Sequence, residues 1–211
     1  MSALWASMSA EDWNRVHGTC DSVVNGLAEP LCSLEKWYQR ELPGLLQEQG
    51  YITQAQLSKL MQWKLSKGKW RPRLQAFVDE LKDSSVKEAS KNGFDALKEG
   101  KIREAVAAIS ELKGVGPATA SAVLAAYDSS IPFMGDEALN ALSKDIGARQ
   151  YTLPHCIRFI DAMTARAEAL GSNWNAQAVQ VTLWIEAQTS SSTTKRKSTA
   201  KETQSSKRKK K

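Results

Sequence analysis

The sequence predicts an all-α fold, and three observations carry that prediction. Apolar residues recur at helical rather than alternating spacing along most of the chain. Capping residues and prolines stand where helices would begin. Paired β-branched runs around an Asn-Gly turn, the usual sign of a hairpin between strands, are absent.

Each element follows from local chemistry. Ser9 caps a helix from Ala10 to about Asn25, with Glu11 and Asp12 in the first turn, where acids oppose the helix dipole. Ser33 starts a second helix through Trp37 and Tyr38, which Pro43-Gly44 should interrupt. Thr53 caps Gln54 to Lys67, with Leu57, Leu60, Met61 and Lys64 on one side. Pro72 opens the next helix, to about Lys82. Ser85 opens another, which Asn92-Gly93 should break or bend, and Gly100 separates it from Ile102–Leu112. Helices then begin at Pro117 and near Asp136, and two more cover about 153–170 and 175–188, roughly ten in all.

The net charge of +6 is unevenly placed. Residues 189–211 hold nine Lys/Arg and one acid, leaving 20 basic and 22 acidic residues in the body. Any affinity of the body for a polyanion must therefore come from a local patch. The 189–211 segment lacks large apolar residues and is expected to be a disordered tail. Its two basic clusters, Lys195-Arg196-Lys197 and Lys207-Arg208-Lys209-Lys210-Lys211, flank a Ser/Thr-rich spacer. That shape fits a bipartite nuclear localisation signal read by an import receptor, or a solvated tail that aids solubility. Residues 1–188 are expected to form one monomeric helical domain.

Other classes are excluded as expectations. No apolar run approaches the roughly 20 residues of a membrane span, and the N-terminus lacks the pattern of a secretory signal. Cys20, Cys32 and Cys156 are scattered and fit buried thiols; His17 and His155 lack ligand spacing. No metal or cofactor is expected.

The chemistry concentrates in one stretch, Ile109 to Leu124. An apolar helix ends at Leu112, Gly114-Val115-Gly116 follows, and a helix of small residues begins at Pro117, a helix–hairpin–helix over 102–127. The two glycines allow positive φ and close backbone approach. The turn offers amides at a helix N-terminus, an anion site suited to phosphate. Gly114, Val115, Gly116, Ala118 and Thr119 are the candidate contacts to double-stranded DNA, by backbone rather than by base. The alternative is a glycine-rich turn that only joins two packed helices.

From Leu112 to Leu142 the sequence resembles the helix–hairpin–helix DNA glycosylase superfamily, which includes endonuclease III-like and 8-oxoguanine glycosylases; a diffuse likeness extends over about 50–188. The resemblance implies a glycosylase-like helical fold and a proline-containing loop that delivers a catalytic aspartate. Here that loop is Asp128 to Asp136, with Asp136 18 residues after Ala118, the family's interval between its lysine and its aspartate. In the family this carboxylate stabilises the oxocarbenium-like charge as the glycosidic bond breaks, and electrostatic stabilisation suits any such cleavage. Two departures matter. Ala118 stands where bifunctional members carry a Schiff-base lysine, so strand cleavage by an amine is not expected. Glu137-Ala138 follows Asp136 where many members have Thr-His. Asp136 also suits a helix cap before Glu137-Ala-Leu. The resemblance therefore implies a monofunctional glycosylase in base excision repair, or a noncatalytic DNA-binding or scaffold protein on the same fold.

A second basic segment, Trp63 to Arg73, carries Lys64, Lys67, Lys69, Arg71 and Arg73. These cations and Lys113 are candidate phosphate contacts, or else a solvated corner. Trp63 and Trp70 either stack on an extruded base or anchor the core, and Trp5, Trp13, Trp37, Trp174 and Trp184 are expected in the core.

Overall fold

Among the residues described by the computed structural model, 2–68 and 71–190, helices are the regular structure and no strand occurs. Lys69 and Trp70 lie outside the described residues, and so do the basic clusters Lys195-Arg196-Lys197 and Lys207-Arg208-Lys209-Lys210-Lys211.

The helices are α1 (Ala3–Ala6), α2 (Ala10–His17), α3 (Cys20–Asn25) and α4 (Leu31–Lys36), then a π-helical turn Trp37–Glu41 leading into α5 (Leu42–Gln49). There follow α6 (Gln54–Lys67), α7 (Pro72–Asp79), α8 (Asp83–Lys98), α9 (Ile102–Ser110) and α10 (Pro117–Tyr127). The chain continues with α11 (Asp136–Ala141), α12 (Ser143–Ile146), α13 (Leu153–Leu170) and α14 (176–190).

Several expected boundaries hold for the expected reason. Ser9 Oγ accepts from Asp12 N at 3.4 Å, and Thr53 forms a reciprocal capping box with Gln56. Others move. The first helix stops at Gly18 and restarts at Cys20. Ser33 sits inside α4, which begins at Leu31. Pro43 interrupts nothing: it falls directly after the π-helical turn Trp37–Glu41, and the helical run continues through it from Leu31 to Gln49. Gly93 neither breaks nor bends a boundary: α8 runs through it, since a Cβ there would lie 2.7 Å from Ile109 Cγ1. The glycine is what lets α9 approach α8.

The core gathers around α10. Every residue from Ala118 to Ala126 is buried, and α5, α6, α8, α9 and α13 all pack on it. A helix apolar or small on all faces has to lie inside, and its alanines allow neighbours close approach. Tyr38 Oη donates to Ala122 O at 2.9 Å and ties the π-helical turn to this centre. Trp13, Trp37 and Trp184 are buried as expected, and of its two readings Trp63 takes the core one, while Trp5 and Trp174 are half-buried against the core. All three cysteines are free thiols. No described helix is long and apolar enough to cross a membrane.

Candidate functional site

The turn between α9 and α10 separates its two glycines into different roles. Gly114 has φ +86°, and a Cβ there would lie 2.8 Å from Phe77 Cβ, so its freedom serves the fold. Gly116 has φ −106° and ψ 179°, extended backbone open to any residue, and a Cβ there would meet nothing within 4 Å. The positive φ expected at both glycines thus occurs at Gly114 alone. Gly116 is exposed, and the amides of Gly116 and Ala118 find no acceptor among the described residues. Those two N–H groups, at the positive end of an 11-residue helix, form a ready anion site. Thr119 differs: its amide already donates to Gly116 O at 2.9 Å, and its side chain is buried. The Val115 side chain is buried too, so it holds the turn to the core from within.

The loop from α10 to α11 is fixed by side chains from two directions. Ser121 Oγ accepts from Met134 N at 2.9 Å, and Gln177 Oε1 accepts from Phe133 N at 2.8 Å. Gln177 N in turn donates to Ser129 O at 3.1 Å. This delivers Asp136 as the first residue of α11, after Gly135 in the capping position. The Asp136 carboxylate makes no cap bond. Its Oδ1 instead accepts from Tyr151 Oη at 2.6 Å, and its Oδ2 lies 3.0 Å from Arg149 Nη1. Burial, together with the bond to Asp136, pushes the Tyr151 phenol up to about 12. Next to it, burial raises the Glu137 carboxyl above the usual carboxylate range.

The C-terminal turn of α6 faces these elements. Between them lies a cleft of about 260 Å³, lined by Lys64, Arg71, Gly116, Ala118, Phe133, Asp136, Glu137 and Tyr151 among others. That is just under the roughly 300–1,000 Å³ of typical small-molecule sites, room for one flat ring system. Carboxylates, cations, open amides and aromatic rings converge there.

The cations of the second basic segment do not share one face. Lys64, Lys67 and Arg71 line the cleft, and Arg73 is exposed outside it. Lys67 Nζ turns inward to Glu35 Oε2 at 2.7 Å, both side chains almost fully buried, with the ammonium 3.6 Å from the Trp184 ring centroid. The same Glu35 accepts from Trp63 Nε1 at 2.7 Å and from Gln39 Nε2 at 2.7 Å. Trp63 stacks on Tyr38 with centroids 3.6 Å apart and belongs to the core. Lys113 lies over the Phe77 ring at 4.3 Å and does not line the cleft.

Sequence reasoning had no handle on Arg149 or Tyr151, which reach Asp136 from the irregular stretch before α13. Nor did it signal Glu35, which lies 32 positions from Lys67. On α6 only Trp63 and Lys67, one turn apart, belong to that network, and neither points in sequence to Glu35 on α4. Among the described residues no group of three or more His, Cys, Asp or Glu side chains is placed to hold a metal ion. No family model matches the chain, and neither a curated protein nor a solved structure matches it.

Proposed function

We propose that this chain is a nuclear DNA-binding protein of glycosylase type, which grips duplex backbone through a helix–hairpin–helix and releases a damaged base from an extruded nucleotide. The observation that carries the reading is the position of Asp136. Its carboxylate stands in a polar and aromatic cleft, half-exposed and free of any capping bond, with the open amides of Gly116 and Ala118 lining the same cleft.

Each part then has a physical task. The amides hold a phosphate at the N-terminus of α10, and Arg71 adds positive charge at the rim. Phosphate held there leaves the adjoining sugar near Asp136. An extruded base enters a cleft walled by Phe133 and Tyr151, where aromatic faces can stack on it. As the glycosidic bond breaks, positive charge grows on the sugar, and a carboxylate in a confined site stabilises it. Arg149 and Tyr151 hold that carboxylate in place. The basic segment of 189–211 directs import and adds sequence-independent attraction to DNA; deleting 191–211 should disperse the protein from the nucleus and flatten the dependence of affinity on salt.

The deciding experiment is a panel of duplexes, each with one base lesion, scored for abasic sites after alkaline treatment. Release of at least one base by the wild-type chain supports the glycosylase reading. Duplex binding with no lesion processed would leave a noncatalytic DNA-binding or scaffold protein.

A further inference from the structure

Helix α10 has a cleft at each end. The proposed DNA cleft meets Pro117, Ala118 and Thr119 at its start, and a second cleft, of about 650 Å³, meets Ala125, Ala126 and Tyr127 at its end. The second lies within the roughly 300–1,000 Å³ of typical small-molecule sites, and the proposed chemistry makes no use of it.

The polar groups that line this second cleft are fixed by their own bonds, and those bonds decide what each can offer. Thr182 Oγ1 has one proton and donates it to Ala178 O at 2.7 Å, so it accepts from His17 Nδ1 at 2.9 Å. The imidazole therefore carries its proton on Nδ1, and Nε2 keeps a lone pair with no partner among the described residues. Burial lowers the His17 pKa, which keeps the ring neutral at neutral pH. Gln177 Oε1 accepts from Phe133 N, and Asn175 Oδ1 accepts from Ala178 N, each at 2.8 Å. A backbone N–H can only donate, so the oxygen of each amide is assigned and its NH2 group points elsewhere. Neither NH2 group has a partner among the described residues. Asp21, the carboxylate that lines the cleft, is answered by Arg40 at 2.6 Å. The cleft thus holds one neutral acceptor, two neutral donors and no unanswered charge, beside an apolar wall of Pro43, Ala125, Ala126 and Val181.

We propose that this cleft binds the imide edge of an oxo-pyrimidine, uracil or its nucleoside. The ring N–H of the ligand donates to His17 Nε2, and the two carbonyls beside it accept from the Gln177 and Asn175 amides. An imide presents acceptor, donor, acceptor, the complement of what the cleft offers. A 4-amino pyrimidine such as cytosine has an unprotonated ring nitrogen in that place, whose lone pair would face that of His17 Nε2. Two desolvated acceptors facing each other leave both unpaired, which is how a polar site rejects a ligand of the same size. The site stands apart from the DNA cleft and does not depend on the glycosylase reading.

The test titrates isotope-labelled full-length protein with uridine, uracil, cytidine and N3-methyluridine, following imidazole and side-chain amide resonances. Uridine or uracil should shift His17 Nε2 and the Gln177 and Asn175 NH2 groups saturably. Cytidine and N3-methyluridine, which lack the ring N–H, should bind about tenfold more weakly or less. His17→Asn removes Nε2 and places an amide where Nδ1 stood, still able to donate to Thr182. Asn175→Asp keeps the acceptor for Ala178 N and loses the donor. Each should weaken uridine binding about tenfold while melting at the wild-type temperature. No saturable shift with either uridine or uracil would overturn the proposal, as would equal affinity for uridine, cytidine and N3-methyluridine. So would unchanged uridine binding in both variants, or shifts confined to Glu137 and Tyr151, which would place the ligand in the other cleft. None of these readouts uses DNA, so failure here and failure of the lesion panel are separate results.

Discussion

Two acid–lysine centres lie one helical turn apart on α6, and they are built on opposite principles. At Lys67 every charge is answered: Glu35 receives the ammonium, the Trp63 indole and the Gln39 amide, and the pair is almost fully buried. At Lys64 the ammonium is open to a cleft, and the nearby acid, Asp136, keeps 48% of its side chain exposed while Tyr151 and Arg149 hold it from the rim. A buried charge has to be satisfied to be tolerated, so the first centre reads as architecture. A charged group left accessible inside a shaped cleft is available for chemistry, so the second reads as a site. The same helix supports both because residues three apart project about 60° apart: both stems line the cleft, but the Lys67 ammonium reaches the buried Glu35 while that of Lys64 has no fixed partner among the described residues.

The largest effect should follow from opening the closed centre. Glu35→Ala leaves Lys67 buried without its counter-charge and Trp63 Nε1 without an acceptor. Removing one member of a buried pair costs about 3–5 kcal/mol. Urea unfolding should show a loss in this range; a loss below about 1 kcal/mol would mean that Lys67 escapes to solvent and that the centre is not architectural.

At the open centre the order of effects should reverse. Asp136→Asn keeps the side-chain shape and removes the negative charge. Loss of a preorganised electrostatic group in an active site typically costs about 100- to 1,000-fold in rate. Base release in the lesion assay should fall by this much while duplex affinity stays within a few-fold and the unfolding midpoint barely moves. A large loss of stability with it would return Asp136 to a structural role.

How much of this was legible in the sequence depends on the distance over which each feature is encoded. Thr53 with Gln56, Pro117 after Gly116, and Ser9 before Glu11-Asp12 act within one turn, and each marks a real helix start. Gly93 misled because its cause lies on another helix: the space it leaves is filled by Ile109 of α9. Pro43 misled because a π-helical turn directly precedes it, and the helical run continues through a residue expected to interrupt it. At the site, the turn and Asp136 were visible as motifs. The division of labour among Lys64, Lys67 and Lys113 was not, since it depends on which way each stem points after packing.

The two glycines of the turn offer a finer test on the same lines, one closed by the fold and one open to a partner. Gly114→Ala puts a methyl group at positive φ and within 2.8 Å of Phe77 Cβ, so it should destabilise the chain and lower DNA binding as a consequence. Gly116→Val meets no neighbour within 4 Å in an extended backbone, so stability should hold. Its branched side chain would nevertheless stand between the amides and a phosphate. Duplex affinity should then fall about tenfold, or about 1.4 kcal/mol. Equal affinity for wild type and Gly116→Val would detach the turn from DNA binding.

The smallest effect belongs to the rim that holds Asp136. Arg149 and Asp136 are 40% and 48% exposed in their side chains, and solvent-exposed ion pairs are worth about 0–1 kcal/mol. Arg149→Ala should therefore leave the unfolding midpoint almost unchanged. Its effect should appear instead in the chemistry, because the carboxylate then keeps only the Tyr151 hydroxyl to orient it. Combining Arg149→Ala with Tyr151→Phe removes both restraints, and base release should fall further than either single change produces while affinity for undamaged duplex shifts only through the lost positive charge. If instead the double variant loses stability and keeps its rate, the rim serves the fold of the stretch before α13, and Asp136 needs no help to find its position.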